Sequence, residues 1–465
     1  MTPLSAAVCP PPSAGMRRIP SGRWVWILAA ALLTVRLALI AAYPALADRV
    51  PDWRWDNNDG YDTLAIHWLE TGVYGLEPGL PTALRLPLYP ALIAAVYRLA
   101  GGPFPAGVML VQALLSVGTG LLLYDMTVRL FGRRAGLAAA LVFLVHPQVN
   151  NFVFRCATET LFLFLVTALC HQAAAFLRTR RPRHLLLAAL AMGLSLLTRQ
   201  TLAPLAGAAV LLLPGASVFA PRRERKRRLA WALAAIAAGM AVLAPWLLRN
   251  RRQAGEWVLQ TWTGQPMCQG LYVSRHLEEF FARRRTLTEL DQAALFEIGL
   301  LERRLRRRWP DDLPPVAREA AADRFFRRRA LDLMARAPAG QVRRTLRNLA
   351  WAPVLQMTWR GTFPLMILNW PILLLGAWGL AHALRMPRTV RIEILPALAV
   401  FAYLYASHAL TWPQARYLLP GLVPFLAFTG LGIDRLFRRS PPPSGPVSAR
   451  ASALPDPAYS GKSAP

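Results

Sequence analysis

Cysteine, lysine and acidic residues are all scarce in this 465-residue chain. The four cysteines (Cys9, Cys156, Cys170 and Cys268) have no paired spacing, which excludes a disulfide framework and a cysteine-based zinc site. Lysine occurs only at Lys226 and Lys462, so the balance of 54 basic against 25 acidic residues is an excess of arginine. In a soluble domain the net charge of +29 would indicate nucleic acid. Here the basic runs lie between apolar blocks, where they set membrane topology, and the nucleic-acid class is excluded. A glycine-rich nucleotide loop is missing too: Gly430-Leu431-Gly432 lies within an apolar block and opens no helix.

Apolar sequence is what the chain has in abundance. Hydrophobic residues make up 55% of it, charged residues 17%, and the mean hydropathy is +0.31. Crossing the hydrocarbon core takes about 20 mostly apolar residues, and blocks such as 24–46, 161–177 and 229–248 approach or reach that length. The expected class is an all-α polytopic membrane protein of about ten spans (9–12). Basic short loops at 129–134, 178–183, 222–228 and 385–391, and the basic chain ends, belong on the cytoplasmic side. Spans then fall near 24–47, 106–128, 135–152, 157–177, 184–199, 202–219, 229–248, 363–384, 392–411 and 417–437, within a membrane domain of 23–438. The ends 1–22 and 439–465 are rich in Pro, Ser and Ala and read as disordered cytoplasmic segments, with the first apolar block an uncleaved span. The apolar run 87–100 is too short to cross; it reads as a helix in the outer interface, with Tyr89, Tyr97 and Arg98 among the headgroups. Two large outer segments remain, 48–105 and 250–362, the second with amphipathic stretches at 290–309 and 316–337.

This topology collects charged residues on one face. The first outer segment carries Asp56, Asp59, Asp62, Arg85 and Tyr89; the span ends carry Glu159, Arg199, Arg249, Asn250, Arg416 and Tyr417. Each charge costs roughly 2.5–3.5 kcal/mol at a helix centre and less near the interface, so their convergence is informative where any one alone is not. Arginine holds phosphate bidentately, a carboxylate deprotonates an incoming hydroxyl, and Trp or Tyr stacks on a sugar face. The chemistry this suggests is acyl or glycosyl transfer from an anionic lipid, with no nucleotide-linked donor. Blander roles stand beside these. The loop aspartates suit Asx turns, Asp62 a solvated helix face, Glu159 a helix start, and the arginines span-end anchors. His67, His146, His276 and His408 show no metal-ligand spacing and read as structural; no cofactor is expected, and a divalent metal is left open. Arg36, inside the first span, pairs with an acid or snorkels. A transporter or lipid flippase would also carry membrane charges, but the motif set shows no two-fold repetition.

The Asp59-Gly60-Tyr61 loop with Ala65, the segment Arg85, Pro87, Tyr89 and Pro90, then Thr158-Glu159, Pro245-Trp246 with Arg249-Asn250, and Arg416-Tyr417 with Pro420 occur in that order. Together they resemble the bacterial GT-C glycosyltransferases related to protein O-mannosyltransferases and lipid A aminoarabinose transferases, over residues 24–437. The resemblance implies an inverting inner-membrane enzyme that takes a sugar from a polyprenyl-phosphate carrier on the periplasmic side. The acceptor would be a lipid, glycan or protein hydroxyl. It also implies an essential acid in the first outer segment, here Asp59 or Asp56, with Glu159 at a second acidic position. Larger relatives add a soluble C-terminal domain, and none is expected after the last span here. Segment 250–362 is the expected acceptor-selecting element, with 264–270 as a flexible cleft-lining stretch.

Overall fold

The computed structural model describes residues 23–49, 55, 59–307, 309–310 and 313–437. The expected disordered ends, Asp56 and its neighbours Asn57 and Asn58 lie outside the described residues.

Helices follow the apolar blocks, and proline and glycine punctuate them. The first half runs α1 (Arg23–Arg49), α2 (Tyr61–Thr71), α3 (Leu88–Ala100), α4 (Pro105–Phe131), α5 (Arg133–Val145), α6 (Pro147–Asn151), α7 (Glu159–Thr179), α8 (Pro182–Leu196), α9 (Ala203–Val218) and α10 (Arg222–Ala254). Segment 250–362 folds as α11 (Gly264–Arg275), α12 (Leu277–Phe281), α13 (Leu287–Arg306), α14 (Pro315–Ala335) and α15 (Pro338–Trp351). The chain closes with α16 (Trp359–Ala383), α17 (Arg388–Glu393), α18 (Leu395–Leu410) and α19 (Ala415–Phe437). Among the described residues there is no β-strand, only an isolated bridge between Glu77 and Leu80.

Among the described residues, seven helices are long and apolar enough to cross a membrane, which makes this a multi-pass membrane protein: Val25–Ala45, α4, α7, Gln200–Val218, α10, α16 and α19. The other three expected spans are shorter. The first, 135–152, breaks at Pro147 into α5 and α6, because proline cannot donate into the helix it would continue. The remaining two, α8 and α18, run 15 and 16 residues.

α19 is the axis of the bundle, buried along almost its whole length against α5, α7, α16 and α18. That closeness requires small residues. A Cβ on Gly379 of α16 would stand 2.0 Å from the Phe428 carbonyl oxygen, and one on Gly430 would stand 2.2 Å from that of Ala135. The glycines that match no nucleotide loop thus let backbones meet backbones, a packing common where apolar burial cannot drive helix association.

Arg36 neither snorkels nor meets an acid. It is fully buried; its Nε donates to Ser116 Oγ at 3.1 Å and its Nη1 to the Leu144 carbonyl at 3.3 Å. It therefore ties α1 to α4 and to the end of α5. The interfacial reading of 87–100 also needs correcting at its tyrosines. Tyr89 and Tyr97 point into the protein, bonded to Gln112 (3.0 Å) and Asp62 (2.5 Å), and only Arg98 faces outward. Asp62, expected on a solvated face, accepts from both Tyr97 and the Trp55 indole (3.1 Å).

Replacing Gly379 by Val forces α16 from α19 against rigid backbone. Overpacking typically costs about 1–3 kcal/mol, and the upper end is expected here. The detergent-solubilised variant should melt below the wild type, whereas Gly207→Val, with open space around it, should not.

Candidate functional site

Three span ends meet at Glu159. The first helical residue of α7, it is 1% exposed, and its Oε1 accepts from Arg199 Nη1 at 3.1 Å and from Arg416 Nη2 at 3.0 Å. Arg416 Nε closes on the same oxygen at 3.2 Å. Arg199 follows α8 and Arg416 opens α19, so three chain segments far apart in sequence share one carboxylate oxygen. Burying a lone carboxylate is prohibitive; two charge-assisted partners make the burial tenable. Oε2 has no partner among the described residues, and the two guanidiniums keep 16% and 29% exposure, so both stay partly accessible. Tyr417 lies beneath both, its ring 5.2 Å from Arg199 and 5.1 Å from Arg416, and is itself stacked on His408.

The first outer segment supplies the facing wall. Gly60 holds φ at +82°, and a Cβ there would reach within 2.6 Å of Leu76, so the turn requires glycine. The turn presents Asp59, whose side chain is 57% exposed, at the mouth. Arg85 Nε donates to the Asp59 carbonyl at 3.0 Å, and Arg85 Nη2 lies 3.9 Å from its carboxylate. Arg85 also covers the rings of Trp262 (5.2 Å) and Tyr61 (5.9 Å). Burial pushes the Tyr61 hydroxyl up to about 12, and Arg85, Asp59, Arg199 and Glu159 all act on it electrostatically, so the two groups lie within reach of one ring.

Residues 81–248 match the family described as dolichyl-phosphate-mannose-protein mannosyltransferase. Among solved structures, the apo oligosaccharyltransferase of Archaeoglobus fulgidus matches with a TM-score of 0.51 and 12% identity, over 90% of this chain and 51% of that one. The fold is of the GT-C type. The oligosaccharyltransferase AglB of Archaeoglobus fulgidus, in complex with an inhibitory peptide and a dolichol-phosphate, gives 0.49 and 14%, over 89% of this chain and 50% of that one. ArnT from Cupriavidus metallidurans bound to undecaprenyl phosphate gives 0.39 and 15%, over 89% of this chain and 77% of that one. The chain spans about half the length of the archaeal chains it matches. No curated protein matches it by sequence search. The resemblance to protein mannosyltransferases is matched over residues 81–248.

Within the GT-C framework the expected residues divide. Asp59, Arg85, Glu159, Arg199, Arg416 and Tyr417 come together. Arg249 and Asn250 do not join them. Arg249 donates to the carbonyls of Thr82 (2.7 Å) and Tyr74 (3.2 Å), and Asn250, fully buried, donates to that of Val258 (3.0 Å). Their donors are spent on holding loop backbone. Tyr89, also fully buried, presents no surface to the cleft. The histidines are scattered. His146 meets Asn369 (3.1 Å), His276 meets Glu279 (3.0 Å) and His67 meets the Gly75 carbonyl (3.1 Å). Among the described residues no three His, Cys, Asp or Glu side chains cluster as a metal site would need. The stretch 264–270, expected to be flexible, is the first part of α11, its N-terminal amides at Thr263 and Gly264 capped by Asp323 (2.5 and 2.6 Å).

Three acids escaped the sequence reading. Asp323 and Glu319 of α14, and Asp291 of α13, sit on the apolar stripes of their helices: Val316, Glu319, Asp323 and Phe326 in one, Asp291, Ala294 and Ile298 in the other. Acids at stripe positions of a helix are the signal that would have found them. Glu319 staples the two outer segments. It accepts from Thr82 Oγ1 (2.5 Å), the Ala83 amide (2.9 Å) and Thr261 Oγ1 (2.8 Å).

Two measurements follow. In Glu159→Gln, two arginines lose the charge that holds them. Breaking a buried pair costs about 3–5 kcal/mol, and the lower end is expected because both guanidiniums retain exposure; the melting temperature reads this directly. Burial raises the Glu319 carboxyl above its ordinary 4.5. Its contribution is therefore fully present below 4.5 and is lost as pH rises through the raised folded value. The stability difference between wild type and Glu319→Gln, followed from pH 4 to 8, should shift against the wild type as pH rises.

Proposed function

We propose that this chain is a membrane glycosyltransferase that moves a sugar from a polyprenyl-phosphate carrier to a hydroxyl of a lipid, glycan or protein. The observation that carries the reading is the pair of arginines held on one buried Glu159 oxygen, across a cleft from an exposed Asp59. Two guanidiniums fixed side by side form a site for a phosphate. The family match over 81–248 supports a prenyl-phosphate sugar donor. The chain sits in the bacterial inner membrane with this cleft facing the periplasm, where such a carrier presents its sugar.

The geometry supports an inverting displacement. The carrier phosphate lies on Arg199 and Arg416 with its sugar towards Asp59. Asp59, or Asp56 of the same sequence segment, takes the proton of the acceptor hydroxyl. The acceptor oxygen then attacks the anomeric carbon from the face opposite the phosphate; the bond from that carbon to the phosphate oxygen breaks, and configuration inverts. The arginines neutralise the charge that develops on the departing phosphate. Glu159, committed to both arginines, positions them and is not the base. Arg85 holds the Asp59 turn in place. The outward face of segment 250–362 receives the acceptor.

Transfer from undecaprenyl-phosphate-linked radiolabelled sugar by purified protein tests this. Asp59→Asn and Asp56→Asn together should lower turnover by about 10²–10⁴-fold while carrier binding persists. Near-normal turnover in the double variant removes the loop carboxylate from the mechanism. Intact envelope glycans with altered solute uptake in a deletion strain would replace the transferase by a transporter.

A further inference from the structure

Asp291 stands out in a chain with 25 acids and 54 bases. It is half-buried, yet among the described residues it is in no ion pair. Its one bond is to an amide: Gln269 Nε2 donates to its Oδ1 at 2.5 Å. Gln269 is itself 7% exposed, and its amide takes Oδ1 alone, which leaves Asp291 Oδ2 without a bond among the described residues.

The pair lies near the arginine cluster. α11 is pressed onto the segment leading to Arg416: a Cβ on Gly270, next to Gln269, would stand 2.9 Å from Trp412 Cβ and 3.0 Å from the Thr411 oxygen. Ser274, one turn on, accepts from Asn348 (2.9 Å), which also donates to the Ala409 carbonyl (2.8 Å), fixing this wall in place. Asp291 lies within electrostatic reach of both Arg416 and Asp59, and burial raises its carboxyl.

We infer that Gln269 and Asp291 form the subsite that binds the hydroxyls of the donor sugar, a deepening that rests on the transferase reading above. A carboxylate held by an amide and left without a cation suits a neutral, hydroxyl-rich group: it accepts from O–H donors and gives an anion nothing. A sugar is joined to its phosphate through one oxygen, so with phosphate on Arg199 and Arg416 the sugar must lie beside Arg416, where this pair stands. Segment 250–362 then serves both substrates, its outward face the acceptor and its inner wall the donor.

The test compares binding of bare undecaprenyl phosphate with carriers bearing mannose, glucose, galactose or N-acetylglucosamine. Full-length protein in nanodiscs is titrated and tryptophan fluorescence followed, with Trp262 and Trp412 at the cleft. The wild type should prefer at least one sugar-bearing carrier. A hydrogen bond to a charged group corresponds to about 10–100-fold in affinity, and Asp291→Asn and Gln269→Ala should each lose that preference while binding the bare carrier unchanged. Melting curves identify any variant that misfolds, and the other variant then decides. Variants that keep the preference, or a wild type without one, overturn the inference and leave the transferase reading standing. Failure of the wild type to bind any carrier overturns the transferase reading itself.

Discussion

One carboxylate oxygen organises the face of the bundle on which the site lies. Glu159 Oε1 is the common acceptor for arginines from two other chain segments, so the start of α7, the turn after α8 and the start of α19 are held to one point. Each of those segments carries something else. α19 is the buried axis, and Tyr417 on it underlies both guanidiniums. In a low-dielectric setting this arrangement is strongly self-consistent, because removing any of the three charges strands the others. The glycine contacts of α16 and α5 on α19 set how deep that axis lies, and hence where Arg416 emerges.

The second organising element is the joint between the outer segments. Glu319 takes three donors from two stretches of chain, and Arg249 fastens the same loop through the carbonyls of Tyr74 and Thr82. The turn at Gly60 and the stretch 74–86 are thereby seated against α10 and α14. Asp59 faces the arginine pair because of this seating. Its own contacts, one backbone acceptor and one long ion pair, would not hold it there.

Hydropathy made the helical blocks legible, because the bilayer imposes length and composition on every span whatever the function. The ordered motifs contain both Glu159 and Arg416, which the structure brings together with Arg199, but they also contain Tyr89, Arg249 and Asn250, which it places elsewhere. Direction was what the sequence could not give. Arg199 and Arg249 look alike as arginines at span ends, yet one turns to the cleft and the other to loop carbonyls; the difference depends on loop backbone that arrives from elsewhere in the chain. Tyr89 and Tyr97 carry the composition of an interface helix, but α3 packs against α4 and α2 and turns them inward. Asp291, Glu319 and Asp323 were hidden within amphipathic helices, where charge is ordinarily read as solvated surface. Span length was overestimated where a proline interrupts, as at Pro147.

Glu159 also bears on how quickly the site can be vacated. Two bare guanidiniums would carry a charge of two and hold any anion firmly. Sharing one anionic oxygen halves that charge before any ligand arrives. The cluster can still meet an incoming anion, since each arginine keeps donors exposed, but the empty state is already partly compensated and costs less to regenerate. A buried acid thus acts as a resident competitor, lowering the affinity of the paired guanidiniums for any anion that meets them.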